Sequence, residues 1–240
     1  MLKKTSFWLC LLLVSVIAMP GWALPNSMIM IMEINSKQGT RPVKANAKLW
    51  YANQKFRAEV SSNLNTSQAN TPVRIGNKAT IVMDLKSKIG YMIDDSSKMA
   101  IKIDEKQVGN MTGNSAQGNR SFTDPAMLTD PAKVKAEIIR QGGKQIGKEK
   151  LLGHNCTIWQ MSGKMPAAQG QPAQTATSKV WLADALGMPL KVQVSTDKQG
   201  EIVSMRVTNV QVNVPVNNNL FGVPAGYQVR NIADMYKAPR

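Results

Sequence analysis

Short apolar runs separated by polar, turn-rich links dominate this chain. Residues 28–34 open the series, and within them Met28, Met30 and Met32 recur at every second position with Ile34 beyond, so a strand places all four on one side. Lys48-Leu49-Trp50-Tyr51 and Phe56-Arg57-Ala58-Glu59-Val60 flank Ala52-Asn53-Gln54-Lys55, which has the length and polarity of a hairpin turn. Three further runs, 79–85, 89–93 and 99–103, are joined by Lys86-Ser87-Lys88 and by residues 94–98. Links this short make an antiparallel meander and exclude a parallel crossover. One stretch reads as a helix: Asp130 as N-cap, Pro131 at the first helical position, a stripe of Val134, Ile138 and Ile139, and a stop at Gly142-Gly143. Strands return at 156–161, 179–182, 190–196 and 201–214, and an Asn-rich turn leads to Leu220-Phe221, Pro224-Ala225-Gly226-Tyr227 and a polar tail.

The fold class this implies is mainly β, of the α+β kind, with about eight to ten strands and one good helix. So much antiparallel sheet needs one face covered or its edges closed, which predicts a large curved antiparallel sheet around its own apolar face, with the helix as plug or lid over an apolar cavity. Residues 24–240 read as a single domain, with loops at 104–121 and 163–177 where Gly, Asn, Ser, Pro, Ala and Gln accumulate.

The amino-terminal pattern is of another kind. Lys3 and Lys4 precede an uncharged apolar run over 7–19, Pro20 and Gly21 break it, and Gly21-Trp22-Ala23 sets small residues where a signal peptidase inspects. Residues 1–23 therefore read as a secretory signal peptide cleaved after Ala23, and the expected location is the periplasm. No later stretch is long and apolar enough to span a bilayer.

Charge and cysteine refine the picture. The formal net charge is +15, and removing Lys3 and Lys4 with the signal lowers it only by those two. Such a surplus attracts anionic surfaces, and in the envelope the anionic membrane is the surface always present. The lysines are dispersed with no arginine-rich tract, which argues against nucleic acid as a partner. Cys10 leaves with the signal, so Cys156 has no intramolecular disulfide partner and reads as a small buried residue on a strand.

Catalytic chemistry finds little footing. The sole histidine stands in Gly153-His154-Asn155-Cys156. A thiol–imidazole couple or half a metal site is conceivable there, but two ligands are too few for a metal, and a turn histidine beside a core cysteine is the simpler account. Asp94-Asp95 and Asp104-Glu105 fall at strand ends, where carboxylates serve turns. No phosphate loop, nucleophile elbow or HExxH occurs. The expectation is a non-enzymatic protein with no cofactor and no metal. Methionine is the more suggestive residue, since its flexible, polarizable chain suits surfaces that accept variable apolar shapes. Met28, Met30, Met32, Trp50, Met83, Tyr91, Ile93, Met99 and Ile101 are the candidate cavity lining.

The order of several motifs resembles the LolA/LolB-like periplasmic lipoprotein-carrier superfamily. These are Trp50-Tyr51-Ala52-Asn53-Gln54-Lys55-Phe56-Arg57, then Gly76-Asn77 followed by the 79–85 and 89–93 hairpin. The second half resembles the DUF4412-type branch of exported proteins, through residues 147–156, Trp181-Leu182-Ala183, Gly187-Met188-Pro189-Leu190 and Phe221-Gly222-Val223-Pro224-Ala225-Gly226-Tyr227. The resemblance implies a half-barrel with helices over its open side, a hydrophobic cavity for acyl chains, and a role for Arg57 in holding the lid. Val229-Arg230-Asn231 stands where the carriers have an acidic, arginine-containing segment. The expected function is binding of a lipid, a lipoprotein acyl chain or a similar amphiphile. The alternatives are an envelope protein-interaction or stress-sensing module with a filled core and, more remotely, a Cys/His-dependent hydrolase.

Overall fold

The computed structural model describes residues 25–38, 41–63, 78–104, 131–165, 174–231 and 234. The expected signal segment, the Asp130 cap and the Gly/Asn/Ser-rich stretch 107–120 lie outside the described residues. Among the described residues twelve strands form one sheet. They are β1 (Ser27–Gln38), β2 (Arg41–Ala52), β3 (Lys55–Ser62), β4 (Lys78–Asp84), β5 (Ile89–Asp94), β6 (Met99–Asp104), β7 (Lys144–Leu151), β8 (His154–Met165), β9 (Gln174–Ala183), β10 (Met188–Thr196), β11 (Gly200–Val212) and β12 (Gln228–Asn231). The spatial order is β12-β6-β5-β4-β3-β2-β1-β11-β10-β9-β8-β7. Each sequential hairpin stays beside its neighbour, and the two meanders meet where β1 pairs with β11. All pairings are antiparallel except β12 against β6, so the sheet is mixed.

Local chemistry sets the registers. Asn53 and Gln54 both adopt left-handed backbone, with φ of 52° and 60°, as a two-residue hairpin loop matched to strand twist requires. Asp84 accepts hydrogen bonds from the amides of Lys86 and Ser87, and Asp94 from the amide of Ser96 and the hydroxyls of Ser96 and Ser97. The bond from Ser87 above all holds the Asp84 carboxyl below its ordinary range. Burial raises that of Asp94, but its serine hydrogen bonds together outweigh burial and lower it. Register shifts at Ile31/Met32, Pro189/Lys191, Val194/Ser195 and Gln145/Gly147 mark bulges, which bend and twist the ladder there. The stretch read as a loop over 163–177 is narrower than expected. β8 runs into it as far as Met165, and β9 leaves it from Gln174, the two pairing there.

The helix α1 spans Pro131–Arg140. Val134 and Ile138 pack on Trp159 of β8 and Leu182 of β9, whereas Ile139 is 52% exposed and takes no part. So α1 lies over the β8–β9 end rather than over the β1 methionines. Gly142 turns the chain with φ of 82°. Gly143 follows at such close quarters that an added Cβ would stand 2.5 Å from Ile138 Cγ2 and 2.7 Å from the Ile138 carbonyl oxygen. The carbonyl belongs to the helix backbone and cannot yield. Gly143→Ala is therefore expected to lower stability by about 1–3 kcal/mol, read as a lower urea midpoint at unchanged slope.

Residues 213–227 cross back over the sheet before β12. Their 3-10 turn, Asn218–Phe221, is capped by Asn217, whose side chain accepts from the Asn219 amide. Phe221 packs into a cluster with Trp50, Ala52, Val82, Ile93 and Ala100.

Candidate functional site

Strand registers place an unbroken apolar field on one face of β1–β6. One cross-strand row runs Met28, Tyr51, Phe56, Met83, Gly90, Ile103, and the next runs Met30, Leu49, Ala58, Ile81, Met92, Ile101. A third, Met32, Ala47, Val60, Ala79, flanks them. Across five strand spacings of about 4.8 Å the field is about 24 Å wide.

Burial along these rows is graded. Met28, Met30, Met32, Leu49 and Ala58 are 0–1% exposed, and they join Val192, Met205, Val207 and others in the main core. Phe56, Val60, Ile81, Met83, Met92 and Ile103 are only half-buried, while Ile101 beside them is buried. The β1 end is thus filled by the protein's own side chains, and the β4–β6 end keeps accessible apolar surface.

The expected lining divides between two faces. Met28, Met30, Met32, Met83 and Ile101 share the apolar field, with Met99 on the same side of β6 by strand alternation. Trp50, Tyr91 and Ile93 point the other way, because Trp50 and Tyr91 fall in the row Trp50, Arg57, Val82, Tyr91, and Ile93 in the row Glu59, Thr80, Ile93. They lie in the cluster covered by Val216, Leu220, Phe221 and Val223 and belong to no shared cavity with the methionines. Tyr51, Phe56, Ile81, Met92 and Ile103 complete the field and were not among the expected lining. The alternation inside 79–85 and 89–93 would have found Ile81 and Met92 once the turns between the strands were counted.

Arg57 sits on the reverse face, its side chain 13% exposed. Its Nη1 donates to the Leu220 carbonyl at 3.0 Å, and Nε and Nη2 both reach Glu59 Oε1 at 3.1 and 2.9 Å. What it holds is therefore the 213–227 crossing. Asn53 to Asn218, Ser27 to the Val214 carbonyl and Tyr227 to Asp95 fix the same segment.

A cleft of about 280 Å³ lies elsewhere, lined by Lys148, Glu149, Lys150, Asn155, Cys156 and Asp184. Its rim is charged, which suits no acyl chain. Cys156 is 1% exposed, and its Sγ lies 3.6 Å from the His154 carbonyl oxygen. Burial, and then the Asp184 and Glu149 carboxylates, push the thiol above its ordinary range, although a backbone hydrogen bond at Leu151 pulls the other way. Burial and the two carboxylates thus disfavour the thiolate, the form a nucleophilic cysteine uses. Among the described residues no three His, Cys, Asp or Glu side chains converge as a metal site would require.

No family model matches the chain, and no curated protein matches it. Solved structures of similar outline do exist. An uncharacterized conserved protein from Thermus thermophilus is 10% identical at a TM-score of 0.46, covering 95% of this chain and 99% of its own. A chain of the Pseudomonas aeruginosa MucA/MucB complex is 13% identical at 0.44, covering 96% of this chain, while this chain spans 65% of it. A LolA superfamily protein from Nitrosomonas europaea is 9% identical at 0.34, covering 82% and 90%. At these scores the likeness is confined to the general course of the sheet.

Proposed function

We propose that the protein is a non-enzymatic binding protein of the periplasm that holds an acyl chain or similar amphiphile, free or on a lipidated protein, against the β4–β6 end of the apolar field. The observation that carries this is the graded burial. The rows that are sealed at Met30 and Leu49 become half-open at Ile81, Met83 and Met92, and methionine there adapts to an irregular apolar guest. The complete burial of Met28, Met30 and Met32 favours the second reading, an envelope interaction module whose interior is already filled.

Native mass spectrometry of the full chain, exported in a bacterial host and purified without detergent, separates the two. A stoichiometric acyl-chain adduct is expected, lost in Met92→Glu while circular dichroism shows the variant still folded, since Met92 is only half-buried. A clean apo mass with no uptake of added fatty acid or phospholipid sinks the first reading in favour of the second.

A further inference from the structure

The reverse face of the sheet is built in two halves. Over β2–β6 it is apolar and covered by residues 213–227. Toward the Lys44 end of β2, the Asn35 end of β1 and across β7–β11 that cover does not extend, and basic side chains stand in its rows. One cross-strand row carries Lys44 on β2, Lys179 on β9 and Lys144 on β7, linked through uncharged partners such as Asn35, Ser204, Gln193 and Gln160. The row beside it sets Arg206 of β11 directly opposite Lys191 of β10 and continues to Trp181 and Ile158. Lys44, Lys144, Lys179 and Arg206 are exposed. Among the described residues none of these four has a carboxylate within 4.0 Å.

The acids on this half do not neutralise it. Glu33 faces Arg206 across β1–β11 with no ion pair among the described residues, Glu201 accepts from Gln193, and Glu149 accepts from the Trp181 indole. Lys191 lies over the Trp181 ring at 4.1 Å and so keeps its charge at the sheet surface.

We infer that this half-face is the surface by which the protein lies on an anionic membrane. Its cations are spread over seven strands, about 29 Å at about 4.8 Å per strand. They are too dispersed to converge on one small anion. Flexible lysine point charges spread over a sheet face suit many separate lipid phosphates, and neutral amide and hydroxyl groups between them offer further hydrogen bonds to headgroups. A surface for single-stranded nucleic acid would call for accessible aromatic platforms. Trp181, the ring in these two rows, is 6% exposed and covered by Lys191, so it offers no platform to a base. The acyl-chain field is on the opposite side of the same sheet, so the two assignments stand independently.

Flotation of the full chain with vesicles of roughly 30% phosphatidylglycerol in phosphatidylcholine, at about 50 and about 300 mM salt, tests this. Binding is expected at low salt, falling steeply at high salt, and absent from pure phosphatidylcholine. The triple variant Lys44→Glu, Lys144→Glu, Lys179→Glu should bind about tenfold more weakly or worse. A charge-matched control, Lys86→Glu, Lys135→Glu, Arg230→Glu, all exposed and off this half-face, should bind as the parent does. Circular dichroism checks that both remain folded. Equal loss in the two triples would overturn the assignment, because net charge alone would then be at work. So would tight binding to dextran sulfate with none to anionic vesicles.

Discussion

Trp50→Ala is expected to lower the free energy of unfolding by about 3–5 kcal/mol and to loosen the carboxy-terminal segment in the same step. Trp50 is 9% exposed and sits on the reverse face with Ala52, Val82, Ile93 and Phe221. Lys48 lies over its ring at 4.8 Å. Removing the indole leaves Phe221 over a void that neighbouring Ala52 and Ala100 are too small to fill. The segment from 213 to 227 then keeps mainly its polar ties: Arg57 to the Leu220 carbonyl, Asn53 to Asn218, and Tyr227 to Asp95. Polar ties of this kind contribute little each. Urea denaturation gives the stability loss, and hydrogen exchange at Gln228, whose amide donates to the Lys98 carbonyl at 2.9 Å, reports the segment. Phe221→Ala should reproduce the loosening, and the double variant should lose less than the two single losses combined because both act on one cluster. Additive losses with Gln228 still protected would mean that the segment is held from elsewhere.

How much of this was legible in the sequence follows from which residues face which way. β1 announced itself because Met28, Met30, Met32 and Ile34 alternate with Ile29, Ile31 and Glu33. The first half of β2 alternates just as strictly, Val43, Ala45, Ala47 and Leu49 being buried, but two of its inward residues are alanine and the signal is faint. β7 carries no signal at all: between Lys144 and Leu151 only Gly147 and Leu151 are even half-buried, as befits an edge strand protected by lysine. β12 is four exposed residues and exists only because β6 offers it an edge. The helix and its glycine stop were readable from local chemistry, whereas the outward turn of Ile139 depended on where the sheet met α1.

The candidate site was half legible for the same reason. Alternation within one strand is a local fact, and it grouped the β1 methionines correctly. Which side a residue of β5 shares with a residue of β1 depends on every turn between them. Trp50 and Tyr51 are adjacent and both buried, on opposite faces, so apolarity alone could not say which belonged with Met28. The crossing at 213–227 creates that second apolar face, and no pattern within β2 or β5 foretells it.

The row Met30, Leu49, Ala58, Ile81, Met92, Ile101 turns this geometry into an ordered expectation. Met30→Ala and Leu49→Ala should each lower stability by about 3–4 kcal/mol, since both side chains are 0% exposed and their loss leaves cavities in a close-packed interior. Met92→Ala, four strands from Met30 on the same face, should lower it by about 1 kcal/mol or less, because Met92 is only half-buried and so loses less on truncation. If an amphiphile occupies the β4–β6 end, the order reverses for ligand-linked stability. Added fatty acid should then raise the melting temperature of the parent and of Leu49→Ala, and raise that of Met92→Ala much less, since only a ligand bound to the folded state stabilises it. A flat series, with Met92→Ala as damaging as Leu49→Ala, would mean the far end of the field is as tightly filled as the near end. There would then be no room for a guest, and the sealed methionine core would belong to an interaction module.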